Sequence, residues 1–269
     1  MPHKVIFVLI DGLAWQVAHD CMGHLQGLCE AGRASLYRLT SALPSLSRPL
    51  YECLLTGVPP VDSGVVHNQI TRLSTQTSLF HLARAAGLTT AAASYHWISE
   101  LYNRSPYLAV RDRFTDDPAL PIQHGIFYHA DSYPDDHLLL DGEYLRQRHD
   151  PDLLLIHSMN VDDAGHHAGY DSPQYRNAAR RMDIFLSDHL PGWLAAGYQV
   201  IVTSDHGMNN DRSHGGILPE ERQVPLFTLG AAFSHAPEVT VRQIDLCGLA
   251  ADLLGLSHDK PRNQELIRR

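Results

Sequence analysis

The sequence predicts an α/β protein with a mostly parallel central sheet and helices on both of its faces. Short apolar runs that read as buried strands recur along the chain, and helix-like stretches separate most of them. This alternation is typical of a parallel sheet that is covered on both sides. The predicted strands cover residues 5–10, 89–93, 153–157, 199–203 and 224–229.

Several stretches around these strands have the features of helices. Residues 78–86 are followed by Gly87, and glycine commonly follows the last residue of a helix. Residues 173–190 carry apolar side chains at helical spacing, and the Leu-Pro-Gly that begins at Leu190 is expected to end this helix. Two further helices are predicted at 144–149 and 244–254.

Residues 98–136 depart from this pattern, because they are rich in Pro, Tyr, Asp and His and have weak periodicity. They form either a small irregular cap insertion that lines a substrate entrance or an ordinary surface excursion. The chain has no internal repeat and no low-complexity segment. Residues 1–269 are therefore expected to form a single domain.

Composition disfavours several classes of function. The formal net charge of −9 makes a nucleic-acid polymer an unexpected partner, because binding to the phosphate backbone needs a basic face. The apolar run 5–10 is too short for a signal peptide or a membrane span, so no membrane association is expected. The four cysteines are scattered without a C-x-x-C pair, which predicts reduced thiols in a cytoplasmic protein. Oligomeric state is not predicted.

Two polar clusters follow the first and third predicted strands and suggest metal ligands. The 18 histidines of the chain are a second indication of metal binding. Asp11 stands directly after 5–10 and reads either as a ligand or as a helix cap. The stretch "HSMNVDDAGHHAG" places Asp162 and His166 four residues apart, and likewise Asp163 and His167, each pair on one face of a helical turn. Such a pair can hold a cation, or it can be part of a histidine-rich helix start with acidic capping.

The third cluster lies in "QVIVTSDHGMNN", where Asp205 and His206 follow an apolar strand. Neighbours on a straight strand point to opposite faces, so these two converge only if the backbone leaves strand geometry. Gly207 permits this departure. His214 follows eight residues after His206, beside two glycines. In open α/β sheets, ligands bind at the carboxyl ends of the strands.

No single cluster has enough ligands for a metal site, but the three clusters together do. Mixed carboxylate and imidazole ligands suit zinc, and six of them are enough for two ions. The six candidates are Asp11, Asp162, His166, Asp205, His206 and His214.

A candidate nucleophile lies in "ALPSLSRPLYECLLTGVPP", which joins a probable strand to a probable helix. Ser47 precedes Arg48-Pro49 at the expected helix start, where proline is favoured and anions bind. Ser47 can therefore face both a metal and a phosphate, or it can simply be the N-cap of the helix.

The order of these pieces resembles the alkaline phosphatase superfamily and, within it, the type I phosphodiesterase/nucleotide pyrophosphatase family. The similarity spans roughly residues 5–216. "SDHGM" with its flanking strand is the most specific piece, and "LLTGVPPVDSGVVHNQ" and "SYHW" are similar to other segments of that family. The resemblance implies a single catalytic domain of the alkaline phosphatase type.

The resemblance also implies two divalent ions, with zinc as the expected metal and manganese as the alternative. Ser47 takes the nucleophile position, where relatives often have threonine. Asp163 and His167 fall out of register and are expected outside the ligand set. The implied ligands are Asp11, Ser47, Asp205 and His206 for one ion, and Asp162, His166 and His214 for the other.

Two further residues concern the substrate. Asn68, in "GVVHN", matches an asparagine with which relatives bind a phosphoryl oxygen. Relatives of the phosphodiesterase type often have another asparagine three residues after the nucleophile, where this chain has Leu50. Arg48 adds a charged donor next to Ser47, which either touches the phosphoryl group or points to solvent.

The predicted function is a metal-dependent phosphoester hydrolase of phosphodiesterase/nucleotide pyrophosphatase type that acts on a small anionic phosphoester through a phosphoseryl intermediate. The nearest alternative is a phosphonate hydrolase or phosphomonoesterase on the same scaffold. A phosphomutase is disfavoured by the short insertion, and a sulfatase by the absence of its cysteine-centred motif. A catalytically inactive binding protein is the remaining alternative, although every ligand position is filled.

Overall fold

The computed structural model describes residues 2–236 and 238–268. Within them, eight strands form one sheet in the order β2-β8-β7-β1-β6-β3-β5-β4. The strands are β1 Lys4–Ile10, β2 Ala34–Thr40, β3 Thr90–Tyr95, β4 Phe114–Asp116, β5 His124–Tyr128, β6 Leu153–Ser158, β7 Tyr198–Thr203 and β8 Gln223–Leu229.

The five strands β7, β1, β6, β3 and β5 run parallel to their neighbours in that group. β8 pairs antiparallel with both β7 and β2, and β4 pairs antiparallel with β5. The sheet is therefore mixed but mostly parallel, which confirms the predicted fold class.

Helices cover both faces of this sheet. Alternate side chains of β1 enter two separate cores, with Ile6 and Val8 in one and Val5 and Phe7 in the other. This alternation is what a strand buried on both faces requires. The helices are α1 Trp15–Cys21, α2 Gly23–Glu30, α3 Ser47–Thr56, α4 Pro60–Ser63, α5 Leu79–Ala85, α6 His96–Tyr102, α7 Ala109–Asp112, α8 Asp135–His149, α9 Asn160–Ala168, α10 Pro173–Ala195, α11 Pro219–Arg222 and α12 Asp245–Leu253.

The expectation that residues 98–136 are irregular is wrong in part. This stretch contributes β4 and β5, and both strands extend the central sheet. Ile126 and Phe127 of β5 are buried. The strands are short and separated by turns, which explains why their period could not be recognised in the sequence.

The predicted end of the long helix at Leu190 is also wrong, because α10 continues through Pro191 to Ala195. A proline inside a helix costs about 3 kcal/mol. Burial of a tryptophan side chain contributes about 4–6 kcal/mol, and Trp193 is buried with its indole N–H bonded to Glu143. The predicted helix at 144–149 is the last part of α8, which begins at Asp135.

None of the helices in the described residues has the length and apolarity that a membrane crossing requires.

Candidate active site

The candidate site forms where three neighbouring strands end. Leu9 of β1 lies opposite His157 on β6 and opposite Thr203 on β7. Asp11 and Asp205 each stand two residues beyond this level, so parallel pairing brings them to the same edge of the sheet. The sheet register thus unites the first and third sequence clusters.

The chain turns sharply after β7, which answers how Asp205 and His206 can converge. The backbone N–H of Gly207 donates to the carbonyl of Glu221 at 2.7 Å, so the chain pairs with the turn before β8. A Cβ at Gly207 would lie 2.0 Å from the carbonyl oxygen of Glu220. Glycine is required at this close approach of two backbones.

The Nε2 atom of His206 is the meeting point of the first ligand group. It lies 3.0 Å from Ser47 Oγ, 3.2 Å from Asp205 Oδ2 and 3.4 Å from Asp11 Oδ1. All four side chains are buried. The structure therefore brings together the four residues that the sequence assigned to one ion.

The second ligand group is centred on Asp162 of α9. Its Oδ2 lies 3.4 Å from His166 Nε2, and its Oδ1 lies 3.8 Å from His214 Nε2. The ring of His214 stacks on that of His206, with centroids 3.6 Å apart. Possible ligand atoms of Asp11, Asp162 and His206 lie within 4.8 Å of one another. The two groups are therefore adjacent.

The carboxylates in this site fit bound cations. Burial raises the pKa of Asp11, and the charges of Asp205 and Asp162 raise it further. Burial also raises the pKa of Asp205. Within the described residues, Asp11 Oδ1, Asp162 Oδ1 and Asp205 Oδ2 have no hydrogen-bond partner. Buried acids that face one another with unpaired oxygens are costly unless cations offset the charge.

The imidazoles fit the same cations. Burial lowers the pKa of His206 and of His214, which favours the neutral form that binds metal. His166 differs, because a hydrogen bond to Asp162 raises its pKa to about 9 and it must release a proton to bind an ion. Its side chain is 44% exposed and lies at the open side of the site.

Ser47 is the first residue of α3, and Leu46 is the N-cap. The alternative that Ser47 caps the helix is therefore wrong, and its hydroxyl contacts His206 instead. Asp11 also departs from the cap interpretation, because its carboxylate contacts Tyr51 and His157. Asn68 lies beside Ser47, with Oδ1 accepting the backbone N–H of Arg48 at 3.0 Å.

The side chain of Arg48 does not point to solvent, which was one of the two alternatives that the sequence left open. It has no exposed surface. Its Nη2 donates to Glu100 Oε2 at 2.7 Å, and its guanidinium lies 4.6 Å from the ring centroid of Trp97. Nε and Nη1 of Arg48 have no hydrogen-bond partner among the described residues, so the contact with a phosphoryl group stays a prediction.

Two other groups of possible ligands lie outside this centre. Asp163 and His167 are 3.5 Å apart on the outer face of α9, where the His167 side chain is 77% exposed. At the far edge of the sheet, the rings of His124 and His149 stack with centroids 3.7 Å apart beside an exposed Asp116. Possible ligand atoms of these three residues also lie within 4.8 Å of one another, but the group is separate from the strand ends where the predicted ligands meet.

Sequence reasoning missed three residues that contact the Asp11 loop. Tyr51 donates to Asp11 Oδ2, and His157 Nε2 lies 3.2 Å from the same oxygen. Tyr175 of α10 donates to the carbonyl of Gly12 and accepts the N–H of Ala14. One signal was available, since Tyr51 stands four residues after Ser47 and must share its helix face.

Comparison with known proteins identifies the family of this chain. A family model described as type I phosphodiesterase/nucleotide pyrophosphatase matches residues 5–107 and 75–220. Together with the fold, this match places the chain in the alkaline phosphatase superfamily. Within that superfamily, the chain belongs to the type I phosphodiesterase/nucleotide pyrophosphatase family. The family is metal-dependent, and the two groups described above are the candidate metal ligands here.

Curated relatives include two kinds of protein. The catalytic subunit of human GPI ethanolamine phosphate transferase 2 is 25% identical over 94% of this chain and 26% of its own length. The corresponding transferase of Aspergillus fumigatus is 23% identical over 94% of this chain and 35% of its own length. Human ectonucleotide pyrophosphatase/phosphodiesterase family member 7 is 22% identical over 84% of this chain and 52% of its own length. This chain thus spans only about a quarter to a third of those transferases.

Solved structures share the fold. Murine ectonucleotide pyrophosphatase/phosphodiesterase 5 superposes with a TM-score of 0.76 at 16% identity, covering 98% of this chain and 100% of the other. An inactive variant of that murine protein in complex with AMP has the same TM-score at 17% identity, covering 99% and 100%. A 2-O GAG sulfatase gives a TM-score of 0.65 at 15% identity, covering 98% and 72%.

Proposed function

We propose that this protein is a metal-dependent phosphoester hydrolase of phosphodiesterase/nucleotide pyrophosphatase type, with Ser47 as its nucleophile and two divalent ions, expected to be zinc. The substrate is a small anionic phosphoester. The ligands of one ion are Asp11, Ser47, Asp205 and His206, and those of the other are Asp162, His166 and His214. The convergence of Ser47 Oγ, Asp11 Oδ1 and Asp205 Oδ2 on His206 Nε2 carries this proposal.

Bound ions supply two things that the side chains alone lack, a lowered pKa for the Ser47 hydroxyl and positive charge at the phosphoryl group. The Ser47 hydroxyl releases its proton to solvent and its Oγ attacks phosphorus. The bond from phosphorus to the leaving oxygen breaks, the leaving group takes up a proton from solvent, and a phosphoseryl intermediate forms. Water then attacks phosphorus from the vacated side and restores the Ser47 hydroxyl. In this scheme His206 and His214 stay neutral ligands, so no histidine acts as general base.

Two donors are available for the phosphoryl oxygens. As the first residue of α3, Ser47 has a backbone N–H that the helix cannot use, and helix N-termini bind anions. Asn68 Oδ1 accepts the Arg48 N–H, so the amide NH₂ is the group of Asn68 that can donate to a phosphoryl oxygen. Both donors come from the loop and helix start that hold the nucleophile.

The test is a hydrolysis panel of aryl phosphodiester, phosphomonoester and phosphonate substrates with the wild type and Ser47→Ala, alongside metal analysis. We expect two ions per wild-type chain, and in Ser47→Ala a loss of turnover of at least 1,000-fold, on the order of a missing nucleophile, with metal retained. Ser63→Ala is the matched control, since among the described residues the hydroxyl of this buried serine bonds only backbone atoms of the turn around α4. Unchanged turnover in Ser47→Ala would remove the nucleophile assignment.

A second candidate is transfer of the phosphoryl group to an alcohol in place of water. The similarity to proteins named GPI ethanolamine phosphate transferases favours it. Both reactions share the phosphoseryl intermediate and differ only in the acceptor. Adding glycerol at rising concentration to the hydrolysis assay separates them by product ratio, because a transferase is expected to form mainly phosphorylated alcohol. A hydrolase is expected to form mainly the water-cleaved product, even where alcohol intercepts some of the intermediate.

A further inference from the structure

Tyr51 connects the nucleophile helix to a metal ligand. Ser47 and Tyr51 are four residues apart on α3 and therefore lie on one face of the helix. Ser47 reaches His206, and Tyr51 donates a hydrogen bond from its hydroxyl to Asp11 Oδ2. Tyr51 is fully buried, and the ring of His157 packs edge-on against it with centroids 4.6 Å apart.

The two oxygens of Asp11 have different environments. Oδ2 receives the Tyr51 hydroxyl and lies 3.2 Å from His157 Nε2. An ionised Asp11 can only accept, and in that state the contact requires the His157 proton on Nε2. Oδ1 has no hydrogen-bond partner among the described residues and lies 3.4 Å from His206 Nε2. One oxygen is thus occupied by protein donors, and the other faces the ligand group.

We infer that Tyr51 is a positioning residue that makes Asp11 a one-oxygen metal ligand through Oδ1 and holds it in register with Ser47. The inference rests on the proposed function, because it concerns the same metal site. Tyr51 and His157 come from different elements, α3 and β6, so the carboxylate is fixed between a helix and a strand. Removal of the Tyr51 hydroxyl frees Oδ2 and lets both oxygens approach the ion.

A tyrosine in the same helix environment provides a matched control. The hydroxyl of Tyr102 donates to Glu52 Oε2 at 2.8 Å, and both residues are buried. Glu52 lies on α3, next to Tyr51 in sequence, but it is not among the proposed ligands. Tyr51→Phe and Tyr102→Phe therefore each remove one buried phenol-to-carboxylate bond at α3, and only the first contacts a proposed metal ligand.

The experiment measures zinc affinity by competition with a chromogenic chelator, and the absorption spectrum of the cobalt-substituted protein, for the full chain and both variants. For Tyr51→Phe we expect the affinity for one of the two zinc ions, the one bound by Asp11, to fall about 10- to 100-fold. This is the usual effect of losing a partner that orients a ligand. We also expect weaker cobalt absorption, since a second Asp11 oxygen raises the coordination number. Tyr102→Phe is expected to match the wild type in both.

Several outcomes would overturn the inference. Unchanged zinc affinity and an unchanged cobalt spectrum in Tyr51→Phe would do so, and so would equal losses in Tyr51→Phe and Tyr102→Phe, which indicate a merely structural effect. In both cases a wild type that binds two ions leaves the proposed function intact. A wild type that binds no ion removes the proposed function and this inference together.

Discussion

Arg48 and Glu100 form a buried ion pair next to the candidate nucleophile, with Nη2 of the arginine 2.7 Å from Oε2 of the glutamate. Glu100 Oε1 also accepts the backbone N–H of Tyr107 at 3.0 Å. The pair fastens α6 to the first turn of α3, immediately after Ser47. The ion pair therefore holds α6 against α3, the helix that begins with Ser47.

Glu100→Ala is expected to lower the free energy of unfolding by about 3–5 kcal/mol, because it leaves the guanidinium of Arg48 buried and unpaired. The double variant Arg48→Met/Glu100→Ala, which buries no charge, is expected to be more stable than Glu100→Ala alone. Urea unfolding of the three proteins measures both differences. A cost below about 1 kcal/mol for Glu100→Ala would mean that the pair is not buried.

Asp205→Asn is expected to change stability in opposite directions with and without metal. In chelator, the substitution removes one of three clustered buried carboxyl groups whose ionisation is disfavoured by burial and by their mutual repulsion, and the protein should gain on the order of 1–3 kcal/mol. With zinc, the variant loses a ligand, so the rise in melting temperature on metal addition should be smaller than in the wild type. Thermal unfolding of both proteins in both buffers measures these differences. A variant that is less stable than the wild type in chelator would contradict the claim that the three carboxyl groups repel one another.

Gly12→Ala is expected to damage the ligand arrangement directly. Gly12 has φ +70, and a Cβ there would lie 2.8 Å from the Cα of Asp162. The left-handed conformation alone costs an alanine about 1–2 kcal/mol, and the collision displaces Asp162. We expect a stability loss above that range together with weaker zinc binding.

Gly27→Ala is the control for that variant. Gly27 lies inside α2 with no atom within 4 Å of an added Cβ, so alanine should stabilise the helix by up to about 1 kcal/mol without altering zinc binding. Equal stability changes in the two alanine variants, measured by urea unfolding, would contradict the close approach of Gly12 to Asp162.

The buried carboxyl group of Asp135 is expected to make the free energy of unfolding depend on pH, independently of the metal site. Burial raises the pKa of Asp135 to about 7 from an ordinary value of 3.8. The folded protein therefore holds a proton that the unfolded chain has released, and stability falls as pH rises from about 4 to about 7. The fall amounts to a few kcal/mol, since one pKa unit corresponds to about 1.4 kcal/mol.

Asp135→Asn removes this titration. In urea unfolding at pH 5 and pH 8, in chelator, the variant is expected to be more stable than the wild type at pH 8, with a smaller advantage at pH 5. A difference between wild type and variant that does not depend on pH would show that Asp135 ionises normally in the folded protein.

The sequence predicted five of the eight strands because a buried strand has a local apolar pattern, and it predicted side chains that the structure brings together at one sheet edge. Apolar runs identify β1, β6 and β7, and parallel pairing then brings Asp11 and Asp205 to one edge. The contacts of Tyr51 and Arg48 could not be predicted in this way. They depend on how α3 is rotated against the sheet and on the position of α6, which no single segment encodes. Pro191 was misjudged because Trp193, two residues later, supplies burial that outweighs the local preference.

The most direct test of the account is the location of bound ions by anomalous scattering in crystals of the zinc-loaded protein. We predict two ions per chain, one bound by Asp11, Asp205 and His206 with Ser47 Oγ beside it. The other should be held by Asp162, His166 and His214. A single ion, ions bound elsewhere on the chain, or a Ser47 side chain that contacts neither ion would contradict the proposed two-metal phosphoester hydrolase.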